Sequence, residues 1–362
     1  MIAKRLNLLC AALIGVLFLV YIPWPRVLSA QNDFVHFYIG GLFYGHPEIF
    51  SPEANYAKQQ ELLGVTLAHS FFGRPAFYGF FLKPLTWLSY IHAYWVFQFG
   101  SLVALAIFLK LNLRRYDHLL AICLMSPPVF ANFINGQDVI YLMLFCSLSL
   151  ACVEREHDLL GGLALSVCAI KPHLFILTPL AAIFFKRWRT LWGEVIGGAI
   201  LAAISLGSGG IQSQLDLFRQ LSQPEHSPYP YAMPSVRNLA GDQIQLFLIL
   251  ALGVIVATAW LMHRSRSYEA AFGWALLGGL LAAYHAYIQD CLLLVLALAV
   301  LHEEMTKAAR MLLVLANLPL VYAALLAGHP YSAVFPVLLL AVLAAQLAQV
   351  PHVQSTPIEL TH

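Results

Sequence analysis

Charge is what this sequence has least of. Of its 362 residues only 10% are Asp, Glu, Lys or Arg, against roughly 25% in an ordinary soluble domain, which excludes a water-exposed globular surface. The two signs nearly cancel, with 20 Lys and Arg against 18 Asp and Glu, so there is no basic field to hold nucleic acid by counterion release. The six cysteines (Cys10, Cys123, Cys146, Cys152, Cys168 and Cys291) form no C-x-x-C pair and no zinc spacing, and all fall in apolar runs, where they read as small core residues. There is no D-x-D, no Gly-rich nucleotide turn, no repeat of 20 to 50 residues, and no inverted pair of broken helices of the transporter kind. What is abundant is apolar: 60% of the chain, with a mean hydropathy of +0.75. At about 20 apolar residues per crossing, the sequence predicts an all-α polytopic membrane protein of about 12 transmembrane helices, forming one integral membrane domain over 1–362.

Lys4 and Arg5 precede an apolar run, and Leu28-Ser29-Ala30 has the look of a weak cleavage site. The run to Tyr21 exceeds the 7 to 15 residues of a signal h-region, so a retained first helix is the better reading. A polar stretch over 25–92 follows, too long for a turn. Within it 33–44 and 74–88 read as short helices lying on the membrane surface. Apolar segments come next at 93–112, 117–133, 139–153, 159–171, 174–186 and 190–208. A second polar loop covers 209–240 and contains Ser227-Pro228-Tyr229-Pro230-Tyr231. Further spans read at 241–262, 269–286, 289–302, 310–327 and 332–350, before a frayed tail at 351–362.

Lys and Arg accumulate near cytoplasmic span ends. With the N-terminus inside, 13 of the 20 fall on the inner side, and only Arg26, Lys58, Arg74, Lys83, Lys171, Arg219 and Arg237 lie outside. Both long loops then face away from the cytoplasm. On that face the unusual polar residues gather: Asp33, then Asn135, Gln137 and Asp138, then Lys171 and His173 around Pro172, then Arg237, Asn238 and Asp242, and finally His285 and Asp290. Ionisable groups at membrane depth cost about 2.5 kcal/mol or more and are usually functional or paired. Each also has a plain structural reading. Asp33 caps a helix starting near Phe34, His36 fills space, Lys171 snorkels to headgroups, Asn135 and Gln137 bond turn backbone, and His285 pairs with Asp290.

The order of features is similar to that of family 87 of the GT-C glycosyltransferases, which use polyprenol-phosphate-mannose. It consists of a first helix, Asp33 early in an outer loop, the Arg74 to Pro84 segment, Asn135-Gly136-Gln137, Ile170-Lys171-Pro172, and a late His285 and Asp290. This resemblance implies a GT-C-like fold and a polyprenyl-phosphate-linked hexose donor, with mannose as the sugar. It matches Asp33 to the catalytic aspartate and His285 to the late histidine near the donor.

The chemistry that follows is inverting transfer to a hydroxyl of a glycolipid or glycan acceptor on the extracytoplasmic face of the cytoplasmic membrane. Asp33 is the expected general base, with His285 as its catalytic partner. Lys171, Arg237 and His173 are the candidates for the donor phosphate, and Arg74, Asn135, Gln137 and Asp290 for the rest of the substrate. No cofactor is called for; no ligand spacing marks a metal, although the outer His and Asp residues leave room for a divalent ion. A transporter or flippase would line a midplane path with its ionisable groups, and an acyltransferase or polymer ligase would use His285 as base.

Overall fold

The computed structural model describes residues 2–67, 71–223 and 229–348, with side chains from residue 7 onward. Ser227-Pro228 and the 351–362 tail lie outside the described residues. The described chain is all-helical. α1 (Ile2–Tyr21) ends before Pro23, and the first polar stretch then builds α2 (Trp24–Leu28), α3 (Phe34–Leu42), α4 (Pro52–Leu63) and α5 (Ala76–Leu82). α6 (Tyr90–Asn112), α7 (Leu119–Met125), α8 (Pro127–Asn135), α9 (Val139–Glu154) and α10 (Asp158–Ser166) follow. After them come α11 (Pro172–Phe175), α12 (Thr178–Phe184), α13 (Trp188–Leu206), α14 (Gly210–Leu221) and α15 (Arg237–Ala240). The rest is α16 (Ile244–Arg264), α17 (Tyr268–Ala282), α18 (Leu293–Leu301), α19 (Lys307–Ala316), α20 (Pro319–Leu326) and α21 (Val334–Leu347).

Three of these helices, α6, α13 and α16, are long and apolar enough to cross a membrane alone, and α19 with α20 makes a fourth candidate bent by 56°. Several segments that read as single spans are broken, and the cause is visible in the sequence. Pro127, Pro172, Pro179 and Pro319 each open the helix after a break. A proline lacks the N–H that would continue the preceding helix, yet fits a first turn, where that N–H has no partner.

The core is the pair α17 and α18. Nearly every residue of both is buried, from Tyr268 through Leu281 and from Leu293 through Leu301, as a helix apolar all round must be. α1, α6, α13 and α16 lie outside it and turn large apolar side chains such as Leu9, Phe99, Ile200, Ile249 and Leu252 outward, a surface that only lipid would solvate. α10 and α13 cross with their backbones in near contact. A Cβ on Gly162 would collide with the Thr190 carbonyl, and one on Gly193 with the Leu159 carbonyl, the small-residue packing of membrane helices. Beside this crossing lies an apolar cavity of about 190 Å³, with Glu194 in its wall together with Leu165, Pro172 and Phe175.

Of the two loop segments read as surface helices, the first is enclosed by protein and the second keeps an outward apolar side. α3 is buried along its length from Phe34 to Gly41. It packs on α5 where Gly40 and Gly79 leave no room for a side chain. α5 keeps Phe80 and Phe81 outward, and Trp87 and Leu88 just after it are exposed as well, as an interfacial segment would leave them. The apolar excess of 33–44, which suggested a membrane-lying face, is satisfied by protein instead. α14 carries an interfacial pattern as well: Ile211, Leu215 and Phe218 are exposed on one side, and Asp216 pairs with Arg219 at 2.8 Å.

Candidate active site

Five chain turns meet at one place: the start of α3, the segment before α5, the α8–α9 turn, the break before α11, and the stretch 283–292 after α17. At the first of them Asn32, not Asp33, caps α3. Its Oδ1 accepts from the Phe34 N–H at 3.2 Å, and its amide donates to the Ile134 carbonyl at 3.1 Å and to the Tyr94 hydroxyl at 3.2 Å. Asp33 makes no side-chain cap bond. Its carboxylate is partly exposed and accepts from the Gln137 amide at 2.7 Å, while its own N–H donates to the Asn135 carbonyl at 3.1 Å. The Asn135-Gly136-Gln137 turn thus serves as a seat for Asp33.

Gly136 makes that seat possible. It is left-handed, with φ of +60°, and a Cβ there would stand 2.7 Å from Asn32 Oδ1 and 2.9 Å from Phe34 Cβ. Gly136→Ala therefore pushes the α3 turn off the α8–α9 turn. Because misplacement by about 1 Å costs on the order of 10²-fold in catalysis, the variant should lose activity to about that extent. A turnover assay on protein that still elutes as a single species checks this.

Behind Asp33 is a buried, charge-balanced group of four. Lys171 Nζ lies 2.6 Å from Asp290 Oδ1 and 3.5 Å from Asp138 Oδ1, and Arg74 Nε lies 3.4 Å from Asp138 Oδ2. Lys171, Asp138 and Asp290 are all but inaccessible, and Arg74 is partly exposed. The second oxygen of Asp290 accepts from the Tyr287 N–H at 2.8 Å, and the Arg74 guanidinium also lies 5.8 Å from the Phe37 ring centre. Two cations and two anions from four distant segments cancel one another, so Lys171 reaches no headgroup by snorkelling.

Beside this group the rings of His173 and His285 meet edge to face at 6.1 Å, and His285 meets Tyr287 at 4.9 Å. The expected pairing of His285 with Asp290 is not made: Asp290 is engaged by Lys171 and the Tyr287 N–H. Burial pushes the His285 imidazole down to about 4, against the pull of Asp290. His36, in α3 with Nδ1 3.5 Å from the Gln59 amide, is likewise lowered by burial to about 4, although Asp33 opposes this. Both rings are neutral above pH 5. Since the unfolded chain protonates near 6.5 and the folded one near 4, both contribute stability that is lost as pH falls through that window. Thermal unfolding followed from pH 7 to pH 4 should show the decline, and His285→Gln should lessen it while His36 and His173, also lowered by burial, retain their share.

Arg237 stands to one side, held through α15. Its guanidinium lies 5.0 Å from the Tyr284 ring centre and 5.8 Å from that of Phe247. Among the described residues, no group of three or more His, Cys, Asp or Glu is placed to hold a metal.

Of the residues singled out from sequence, the fold brings together Asp33 with Asn135 and Gln137, Arg74 with Lys171 and Asp290, and His173 with His285. Asp138 is picked out in the sequence beside Gln137 without a role, and the fold makes it the partner of Arg74 and Lys171; Asn32 is missed. Asn32 is a neutral residue next to a more conspicuous aspartate.

No curated protein and no solved structure matches this chain. The model of glycosyltransferase family 87 matches residues 72–288, a stretch that carries Arg74, Asp138, Lys171, His173, Arg237 and His285. The match covers well over half of the sequence, and the chain belongs to glycosyltransferase family 87.

Proposed function

We propose that this membrane glycosyltransferase moves a hexose, mannose in the reading followed from sequence, from a polyprenyl-phosphate-linked donor to a hydroxyl of a glycolipid or glycan, with inversion at the anomeric carbon. The acceptor O–H loses its proton to the Asp33 carboxylate as its oxygen bonds to the anomeric carbon. The bond from that carbon to the phosphate oxygen breaks, and prenyl phosphate leaves with the electron pair. A lipid phosphate is already a good leaving group, so one carboxylate suffices and the rest is positioning and electrostatics. His285 and His173, neutral and paired, are hydrogen-bonding partners for the phosphate, and Lys171 and Arg237 are the nearby cations. Arg74, Asn135, Gln137 and Asp290 shape the remainder of the site.

The observation that carries this reading is the state of Asp33: a partly exposed carboxylate, excused from capping and oriented by one amide. In the same reading the chain crosses the cytoplasmic membrane about twelve times, with the site on the extracytoplasmic face. The opposite helix ends favour this, since Arg115 meets Glu154 and Arg187 meets Asp158 there, where cytoplasmic Lys and Arg would collect.

The test is incubation of the purified protein with polyprenyl-phosphate hexoses and a panel of glycolipid acceptors, with product mass and released prenyl phosphate as readouts. Transfer with release supports the proposal. Solute or glycolipid counterflow in proteoliposomes, with no covalent product from any donor, overturns it in favour of a transporter.

A further inference from the structure

We infer that Arg237, gripped by Tyr284 and Phe247, is the ligand for the lipid phosphate, and that Lys171 is a positioning residue which never touches it. This rests on the transferase reading above and assigns its donor site.

The cations near the site differ in what answers them. Arg74 is answered by Asp138, and Lys171 by Asp138 and Asp290. An oxyanion approaching Lys171 would meet two carboxylates first. Arg237 is almost as buried but among the described residues has no carboxylate: its Nε and Nη1 are buried without an acceptor. A guanidinium enclosed without a counter-ion is unfavourable to leave that way. Aromatic faces compensate part of its charge but take none of its N–H bonds. The missing partner is therefore an anion, and a planar five-donor group suits the several oxygens of a phosphate.

The location agrees. The Val236 N–H donates to the Leu281 carbonyl at 2.9 Å, which fixes Arg237 at the exit of α17. Asn238 holds the preceding loop through the Tyr231 and Met233 carbonyls at 3.0 and 3.1 Å. Tyr284, exposed on one side, directly precedes His285. The anion site and the four-charge group thus flank one segment, 283–290.

The probe is polyprenyl monophosphate without sugar, binding to the purified protein by native mass spectrometry, with inorganic phosphate as a parallel arm. Wild type should bind the lipid phosphate. Arg237→Gln should weaken binding at least about tenfold, and Arg237→Lys, which keeps the charge, should fall between. Competition by inorganic phosphate would assign recognition to the headgroup itself; lack of competition, with the same Arg237 dependence, would show that the site needs the lipid-borne phosphate. If Arg237→Gln does not fold, a raised donor KM with little change in kcat in Arg237→Lys carries the test. The inference falls if the lipid phosphate does not bind, or if both Arg237 variants bind it as wild type does. It also falls if the charge-balanced Lys171→Met/Asp290→Asn protein is monodisperse yet has lost binding while Arg237→Gln has not. Arg237-dependent binding with no sugar transfer would keep this inference and remove the transferase reading. Normal transfer with an unchanged donor KM in Arg237→Gln would do the reverse.

Discussion

Asp33→Asn is expected to reduce sugar transfer by about 10²- to 10⁴-fold, the range for removing a positioned general base, with the protein still folded and still binding its lipid donor. The change is nearly isosteric, and the amide oxygen can accept the same bond from Gln137 that the carboxylate accepts at 2.7 Å. Helix α3 does not depend on it, because the cap is Asn32. The loss should appear in kcat, with the donor KM little changed, since only proton removal from the acceptor is affected. Asn32→Ala should behave in the opposite way, lowering thermal stability by removing the cap and its bonds to Ile134 and Tyr94. Single-turnover transfer with a labelled donor separates the two. Wild-type rates in Asp33→Asn would dismiss this residue as the base.

Lys171→Met should be the most damaging substitution for stability. It leaves Asp138 and Asp290 enclosed with only Arg74 to answer them. Breaking a buried pair by removing one partner costs about 3–5 kcal/mol. The measurement is thermal unfolding in detergent, in which this variant should unfold well below wild type. Adding Asp290→Asn should recover much of the loss, since it removes the orphaned charge while the side-chain oxygen can still accept from the Tyr287 N–H. A double variant no more stable than the single would show that the lysine is needed for its shape rather than its charge.

Local physics made much of this legible in sequence. Hydropathy found α6, α13 and α16, the three helices long and apolar enough to cross a membrane alone, but read through the breaks at Pro127, Pro179 and Pro319; sorting polar residues by side pointed to Asp33, Gln137, Lys171, Asp290 and the two histidines. The sequence could not show how these residues divide their bonds. Asp33 meets Gln137 across 104 residues and Lys171 meets Asp290 across 119. Whether a lysine is open to a ligand or closed by carboxylates depends on such pairings, which leave no local periodicity. The burial of α3 escaped for the same reason. An apolar, aromatic run of nine residues has the same composition against lipid as against protein, and Gly40 facing Gly79 appears only once the two turns are brought together.

The four-charge group also bears on how the molecule is made. Arg74, Asp138, Lys171 and Asp290 are synthesised in that order, and the last arrives only after most of the helices exist. Until then Lys171 has Asp138 alone, shared with Arg74, and the enclosing pair α17 and α18 is incomplete. A nascent chain halted before residue 290 therefore carries an excess positive charge and a half-built core, which is a chemical mark of an unfinished protein. The same neutralisation that stills Lys171 in the mature enzyme ties its assembly to the arrival of one late aspartate.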